Sequence, residues 1–305
     1  MKPSAALQKA LSEAATLHLG NSEAGTQRDV IVYRTYIALK QYSVVLGEIS
    51  SAADTAAPLK AVRLLAQHAQ SAGSARSSAL DSLKQLAKES DERGLPPGTV
   101  QLMAATAMAA DGLAEDALRM VDPLCKAKSL EGLALRVVNL LAMQRRDLAQ
   151  QTVDSMEVLD DDSSLSQLCR AWLALARGKA SVSESHDGLS EANLVFKDLS
   201  DRFGSSALLL NGQAAALMAL GLVGDAQSLL ADAAGSGTQE TATNSNFAVL
   251  SYHLGGDSLV AEKYIAAARA SAEGGAPLLA SFDDADAELK RIVDAYKSAP
   301  GTASA

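Results

Sequence analysis

Two stretches of the chain follow one pattern: LMAATAMAADGLAEDA at residues 102–117 and NGQAAALMALGLVGDA at residues 211–226. Each has a turn glycine between two alanines that stand twelve positions apart. Alanine at both positions lets paired helices cross closely, and the glycine closes the first helix in a left-handed cap. Large apolar residues between the alanines fill the space between neighbouring hairpins. This is the tetratricopeptide pattern, and it predicts an all-α, tetratricopeptide-like solenoid.

Further copies of the pattern are more degenerate. Ala149 follows Ala117 by 32 residues, close to the repeat length of about 34 residues, but Gln144 stands in place of the turn glycine. Weaker helix pairs are expected at 29–50, 57–90, 165–203 and 246–270. We therefore predict a single solenoid over residues 1–298, with its clearest repeats at 98–129, 130–162 and 207–238, a capping helix at about 282–297 and a frayed tail at 299–305.

Composition excludes several classes of protein. Lys and Arg number 27 against 36 Asp and Glu, a net charge of −9, which argues against nucleic-acid binding and against docking on anionic lipid. The first twenty residues lack a continuous apolar segment, so we expect no secretory signal. Cys125 and Cys169 are isolated and are expected to be reduced cytosolic thiols.

The uncharged stretch 203–224 has the length of a membrane span. The segment Asn211-Gly212-Gln213 at its centre and three further glycines interrupt it, whereas a spanning helix is usually a cleaner apolar run. The repeat pattern explains each of these features, and we expect a buried helical hairpin here.

No catalytic or metal-binding constellation is evident. The four histidines are isolated, and neither a phosphate-binding glycine loop nor a nucleophile elbow occurs. The acidic run 160–162 lacks the spread of ligands that a calcium loop needs, and favours a solvated turn before the next helix. We expect no cofactor, no metal and no enzymatic activity.

The repeat register also predicts a groove for a partner. In a tetratricopeptide solenoid the exposed positions of each first helix line the concave surface, and here these positions are mostly apolar. Such a stripe is expected to be covered by a long-lived protein partner or by the ends of the solenoid. Alternatively, the register is shifted by one face and these residues belong to the core. The candidate partner-binding residues are Leu102, Thr106, Ala109, Ala134, Val138, Leu141, Leu208, Asn211, Ala215 and Met218.

Several segments together resemble the coatomer epsilon subunit family over about residues 5–299. The segments that carry the resemblance are RDVIVYRTYIA at 28–38, VVLGEI at 44–49, LDDD at 159–162, AWLA at 171–174, LLLNGQAA at 208–215 and VLSYHLG at 249–255. Members of this family usually begin with a longer segment, so the first repeat is expected to be incomplete.

The resemblance implies a non-catalytic subunit of the COPI vesicle coat that binds the C-terminal domain of the alpha coatomer subunit. It implies a location in the cytoplasm, on the cytoplasmic face of Golgi membranes and COPI vesicles, reached through the coat. The implied process is Golgi-to-ER and intra-Golgi transport. An alternative is a peptide-binding adaptor or co-chaperone, whose groove is expected to be basic.

Overall fold

The computed structural model describes residues 5–17, 19–20, 22–52, 55–94, 96–178, 185–235, 240–255, 258–271 and 277–298. These residues form helices and turns, with no strand in the ranges given. The helices are α1 (Ala5–Thr16), α2 (Glu23–Ala38), α3 (Tyr42–Glu48), α4 (Ala57–Gln70), α5 (Gly73–Glu92), α6 (Thr99–Ala110), α7 (Ala114–Lys126), α8 (Leu130–Ala142), α9 (Arg146–Asp160), α10 (Ser164–Arg177), α11 (Ser185–Phe203), α12 (Ala207–Leu220), α13 (Val223–Gly235), α14 (Glu240–His253), α15 (Ser258–Ser271) and α16 (Pro277–Ser298).

From α2 to α15 consecutive helices pair as hairpins, and each hairpin packs on the next. The alanines of the two clearest repeats, Ala105 with Ala117 and Ala214 with Ala226, are completely buried. Full burial on both helices of a pair is what a close crossing requires. The core is accordingly a series of apolar clusters shared by neighbouring hairpins, and the predicted helical solenoid is confirmed.

The turns behave as their sequences predict. Gly112 and Gly221 have φ of 75° and 86°, the left-handed region that glycine enters without steric cost. Gln144 takes the same place with φ of 59°, so a side chain is accommodated there at some cost in strain. The uncharged stretch 203–224 comprises the end of α11, all of α12, the turn at Gly221 and the start of α13, which confirms the predicted hairpin. No helix in the described ranges has both the length and the apolarity to cross a membrane.

Some helix boundaries differ from the expectation. The first helix of the pair expected at 246–270 is α14, and it begins earlier than expected, at Glu240. Thr243 in its first turns is buried, and its hydroxyl accepts a hydrogen bond from Asn211 Nδ2 at 2.9 Å. This hydrogen bond to the preceding repeat fixes the first turns of α14, which in the sequence appear only as a polar segment.

The last helix also differs from its expected role. It extends from Pro277 to Ser298, but every residue from 282 to 297 is exposed. Over these residues α16 therefore does not cover the last repeat, and the expected capping is corrected. Residues 282–297 include five acidic and three basic side chains, and all of them are exposed. The expected tail at 299–305 lies outside the described residues.

A buried ionic cluster joins three helices of the N-terminal half. Asp111, at the end of α6, hydrogen-bonds to Nε2 of His68 at 2.9 Å and accepts a hydrogen bond from Arg76 Nε at 2.6 Å. Both partners are buried. Partial burial of the Asp111 carboxyl raises its pKa, but the hydrogen bonds from His68 and Arg76 outweigh this effect and hold the pKa below its ordinary value. The charged carboxylate therefore stabilises the fold.

We expect Asp111→Asn to lower the free energy of unfolding by about 1–3 kcal/mol near neutral pH, because Arg76 loses its charged partner. A lowered pKa in the folded state contributes stability above the unfolded value of about 3.9, and this contribution is lost as the pH falls through the folded pKa. The gap between wild type and variant in urea unfolding should thus shrink towards about pH 3. Asp116→Asn, at an exposed carboxylate, is the control; an equal loss in both variants contradicts the assignment.

The contact between α11 and α12 supports a second prediction. A Cβ atom added to Gly212 lies 2.5 Å from Cε1 of Phe196, whose ring is completely buried. We expect Gly212→Ala to destabilise the protein by about 1–3 kcal/mol through overpacking. Gly224→Ala in α13, where a Cβ meets nothing within 4 Å, should be neutral or stabilising by about 0.5–1 kcal/mol. Thermal unfolding compares the two, and equal midpoints are inconsistent with a tight α11–α12 contact.

Candidate partner-binding strip

Five first helices share one feature at their C-terminal end. A residue with positive φ follows α6, α8, α10, α12 and α14, and these residues are Gly112, Gln144, Gly178, Gly221 and Gly255. Seven positions earlier stands a buried residue, namely Ala105, Val137, Ala171, Ala214 and Ala248. Because this buried position fixes the rotation of each helix, the residues that follow it by one and by four positions share one face. We call this set the inner strip: Thr106, Ala109, Val138, Leu141, Trp172, Leu175, Ala215, Met218, Val249 and Tyr252.

An ion pair shows that this face lies on the inside of the solenoid. The guanidinium of Arg34, on α2, donates to both carboxylate oxygens of Glu131, on α8, at 3.0 and 3.2 Å. Glu131 precedes Val138 by seven residues, about two helical turns, so both lie on one face of α8. Since α3 to α7 separate the two helices along the chain, the solenoid must curl for them to meet. The inner strip of α8 therefore faces the inside of the curve.

The structure divides the ten predicted partner-binding residues into three groups. Val138 and Leu208 are exposed, at 39% and 42%. Thr106, Ala109, Leu141 and Ala215 are partly exposed. The remaining four, Leu102, Ala134, Asn211 and Met218, are buried.

For the four buried residues the expected exposure is wrong. Leu102, Ala134 and Met218 belong to the apolar clusters between neighbouring hairpins. Asn211 donates to Thr243 and accepts from Nδ2 of Asn246 at 3.0 Å. These four residues lie at the edge of the inner strip, where the first helix of one hairpin packs on the first helix of the next hairpin. The alternative interpretation, in which the register is shifted by one face and the residues belong to the core, therefore applies to this edge alone. The contribution of the other six to partner binding stays a prediction.

Four residues of the inner strip were missed from sequence. Trp172 and Leu175 on α10, and Val249 and Tyr252 on α14, occupy the same positions as Val138 and Leu141 on α8. The indole of Trp172 packs against the clusters on both sides of α10, and Tyr252 is 56% exposed. Their helices lack the clear alanine pattern, but the count of seven residues back from Gly178 and Gly255 identifies them.

The chemistry of the strip is that of a contact surface. Val138, Leu208, Val249 and Tyr252 present exposed apolar groups on three different hairpins, and extended apolar patches of this kind mark protein-interaction sites. The nearby cation of Arg34 is already bound to Glu131. Among the described side chains no group of His, Cys, Asp or Glu is arranged to hold a metal ion.

The two thiols are not activated. Burial raises the pKa of Cys169 to about 12. Burial also raises the pKa of Cys125, with a smaller contribution from Asp122, while Arg136 opposes both. Because the thiolate is the nucleophilic form, burial lowers the reactivity of both thiols at neutral pH, and that of the completely buried Cys169 most.

Comparison with known proteins identifies relatives over most of the chain. The sequence model of the family described as coatomer epsilon subunit matches residues 4–297. Coatomer subunit epsilon-2 of Oryza sativa subsp. indica is 34% identical over 233 residues, which cover 76% of this chain and 74% of the rice protein. Coatomer subunit epsilon-1 of Arabidopsis thaliana is 32% identical over 229 residues, covering 75% and 73% of the two chains.

A solved structure shares the fold. A tetratricopeptide repeat protein from Parabacteroides merdae superposes with a TM-score of 0.53 at 14% identity, over 87% of this chain and 93% of that protein. At this level of identity the likeness concerns the fold alone.

Adding a charge at a buried and at an exposed candidate residue tests whether the two positions differ in burial as described. Met218→Lys places a charge in the core between α12 and α14, and we expect it to cost several kcal/mol of stability and much of the cooperativity of unfolding. Val138→Lys adds the same charge at an exposed site and should change stability by less than about 0.5 kcal/mol. Circular dichroism with urea titration measures both. A fully stable Met218→Lys protein contradicts the burial of this edge.

Proposed function

Because this chain belongs to the coatomer epsilon subunit family, we propose that it holds the C-terminal domain of the alpha coatomer subunit on its inner strip. Membership of the family makes the chain a subunit of the COPI vesicle coat. A coat subunit acts by binding and position, not by catalysis. The proposal adds the identity of the partner, the C-terminal domain of the alpha subunit, and the surface that binds it, the inner strip.

The observation that carries the proposal is the apolar inner strip. Its exposed members lie on α8 and α14, and the exposed Leu208 of α12 precedes Ala215 of the strip by seven residues, about two helical turns. A partner must therefore lie along several hairpins to cover them. Apolar area removed from water stabilises a complex by about 25 cal/mol per Å² before the costs of association. A contact made of such groups favours a long-lived complex with a folded domain.

The electrostatics of the strip favour this partner over a charged peptide end. A site that captures a terminal carboxylate needs cations that project into the groove. Beside this surface, the guanidinium of Arg34 is occupied by Glu131. A co-chaperone or peptide-binding adaptor is therefore the less favoured alternative.

The proposal also includes where the protein acts. Bound to the alpha subunit, it would be carried by the coat to the cytoplasmic face of Golgi membranes and COPI vesicles, without a membrane contact of its own. Its process would be transport from the Golgi to the endoplasmic reticulum and within the Golgi.

Binding of the purified alpha C-terminal domain, measured by isothermal titration calorimetry, tests the proposal. We expect Val138→Glu to weaken the complex at least about tenfold, since it buries a charge in an apolar contact. Tyr252→Ala should have a comparable effect, because large aromatic side chains dominate such interfaces.

The matched control is Val158→Glu on α9, which changes a valine of 87% exposure outside the inner strip. It should bind as the wild type does. Wild-type affinity in all three variants, or loss of binding only in the control, would refute the inner strip as the binding surface.

A further inference from the structure

A groove of about 570 Å³ runs between α7 and α9, with α8 as its floor. Its lining includes Lys126, Lys128, Arg136, Leu148, Val158 and Leu159; we call it the outer groove. Arg136 precedes Val138 by two residues, about 200° around α8. The outer groove therefore lies on the side of the hairpin that is turned away from the inner strip.

The outer groove combines apolar groups with positive charge. Val158 and Leu159 are exposed at its rim. Three of its charged residues are basic and one, Asp122, is acidic. The carboxylate of Asp122 lies 2.6 Å from Nζ of Lys126 and 3.9 Å from Arg136, which leaves a positive excess in a chain whose net charge is −9. An acidic, amphipathic segment is the complementary ligand.

Helix α16 has these properties. Phe282, Leu289, Ile292, Val293 and Tyr296 are all exposed and follow a spacing of seven and three to four residues, so they form one apolar stripe. Asp286 and Glu288 flank the stripe in its first half, and residues 283–288 contain four acidic residues. Each flanking carboxylate pairs within the helix, with Lys290 and Arg291, both at 2.6 Å. Exposed pairs of this kind contribute little and exchange partners readily.

We propose that the acidic half of α16 binds in the outer groove of a second copy of this chain. The stripe from Phe282 to Leu289 packs on Val158 and Leu159, and the flanking carboxylates of Asp286 and Glu288 face Lys126 and Lys128. This is a helix in a groove, with anchors spaced by about one and two turns.

The contact is made between chains. Asp283 forms an ion pair with Arg269, which holds the start of α16 at α15. That helix belongs to the third hairpin beyond α9 along the solenoid, whereas the outer groove of another molecule is open to it. Because one molecule gives its α16 and the other its groove, the contact is head to tail and each pair keeps one free groove and one free helix.

The proposed contact goes beyond the binding of the alpha subunit and does not depend on it. It uses α7, α9 and α16 and leaves the inner strip accessible. Failure of one proposal is therefore seen in a different assay from failure of the other.

Sedimentation of the full chain across the micromolar range tests the contact. We expect concentration-dependent growth beyond a dimer that weakens at high salt. Lys126→Glu with Lys128→Glu in the groove, and Asp286→Lys with Glu288→Lys in the helix, should each weaken association at least about tenfold. A mixture of these two double variants should regain association, because the groove of each variant then meets a helix of opposite charge from the other. Lys88→Glu with Lys197→Glu, two exposed lysines elsewhere, should associate as the wild type does.

Three results overturn the proposal. The first is a chain that stays monomeric throughout the range. The second is association that the groove variant leaves unchanged while the helix variant abolishes it, which means that α16 pairs with itself. The third is equal weakening by the control. Circular dichroism verifies that each variant is folded.

A thiol footprint keeps the test informative should the groove variant unfold. Cys125 lines the outer groove and is partly exposed, whereas Cys169 is completely buried and serves as the internal control. Maleimide labelling of Cys125 should slow as the wild-type concentration rises, but not for Asp286→Lys with Glu288→Lys. A rate that is independent of concentration in both proteins contradicts occupancy of the groove.

Discussion

The close crossing of the two helices in each hairpin is the contact on which the rest of this structure depends. Ala105 and Ala117 are completely buried, and so are Ala214 and Ala226. Between hairpins the approach is as tight: a Cβ atom on Gly132 would lie 2.6 Å from that of Leu124. Interiors are close-packed, so an added methylene forces neighbours to shift. Small residues thus set the spacing of helices, and the spacing sets how the hairpins stack.

Once the crossing position is fixed, both surfaces of the solenoid are fixed with it. On α8 the buried Val137 places Val138 on the inside of the curve and Arg136 on the outside. The Arg34–Glu131 pair closes the curve across the inside. The outer surface is less constrained than the inner one, because it is formed by side chains of the second helices that point away from the helix crossing. The inner strip is accordingly apolar, whereas the outer groove combines basic side chains with the apolar groups at its rim.

The sequence predicted what depends on contacts within a hairpin. The alanine pairs, the left-handed glycines and the hairpin at 203–224 are local, and each was identified from spacing. It did not predict what depends on the neighbouring hairpin: Met218 and Asn211 are buried because α14 packs beside α12, and the role of Thr243 appears only with its partner in place. Likewise, residues 282–297 of α16 are exposed because they lack packing partners, which their own sequence does not reveal. Six of the ten residues of the inner strip were predicted from spacing, whereas the burial or exposure of each one depends on the neighbouring helices.

The two surfaces imply different lifetimes for their contacts. An apolar strip gains its free energy from area removed from water, which salt does not screen, and leaving it uncovered invites aggregation. A contact through Lys126, Lys128 and the carboxylates of α16 is screened within about 8–10 Å at physiological salt and buries less apolar surface. The inner strip therefore suits a partner that is acquired once and kept, whereas the outer groove suits neighbours that are gained and lost. The curled solenoid keeps these two proposed contacts apart by placing one on each side.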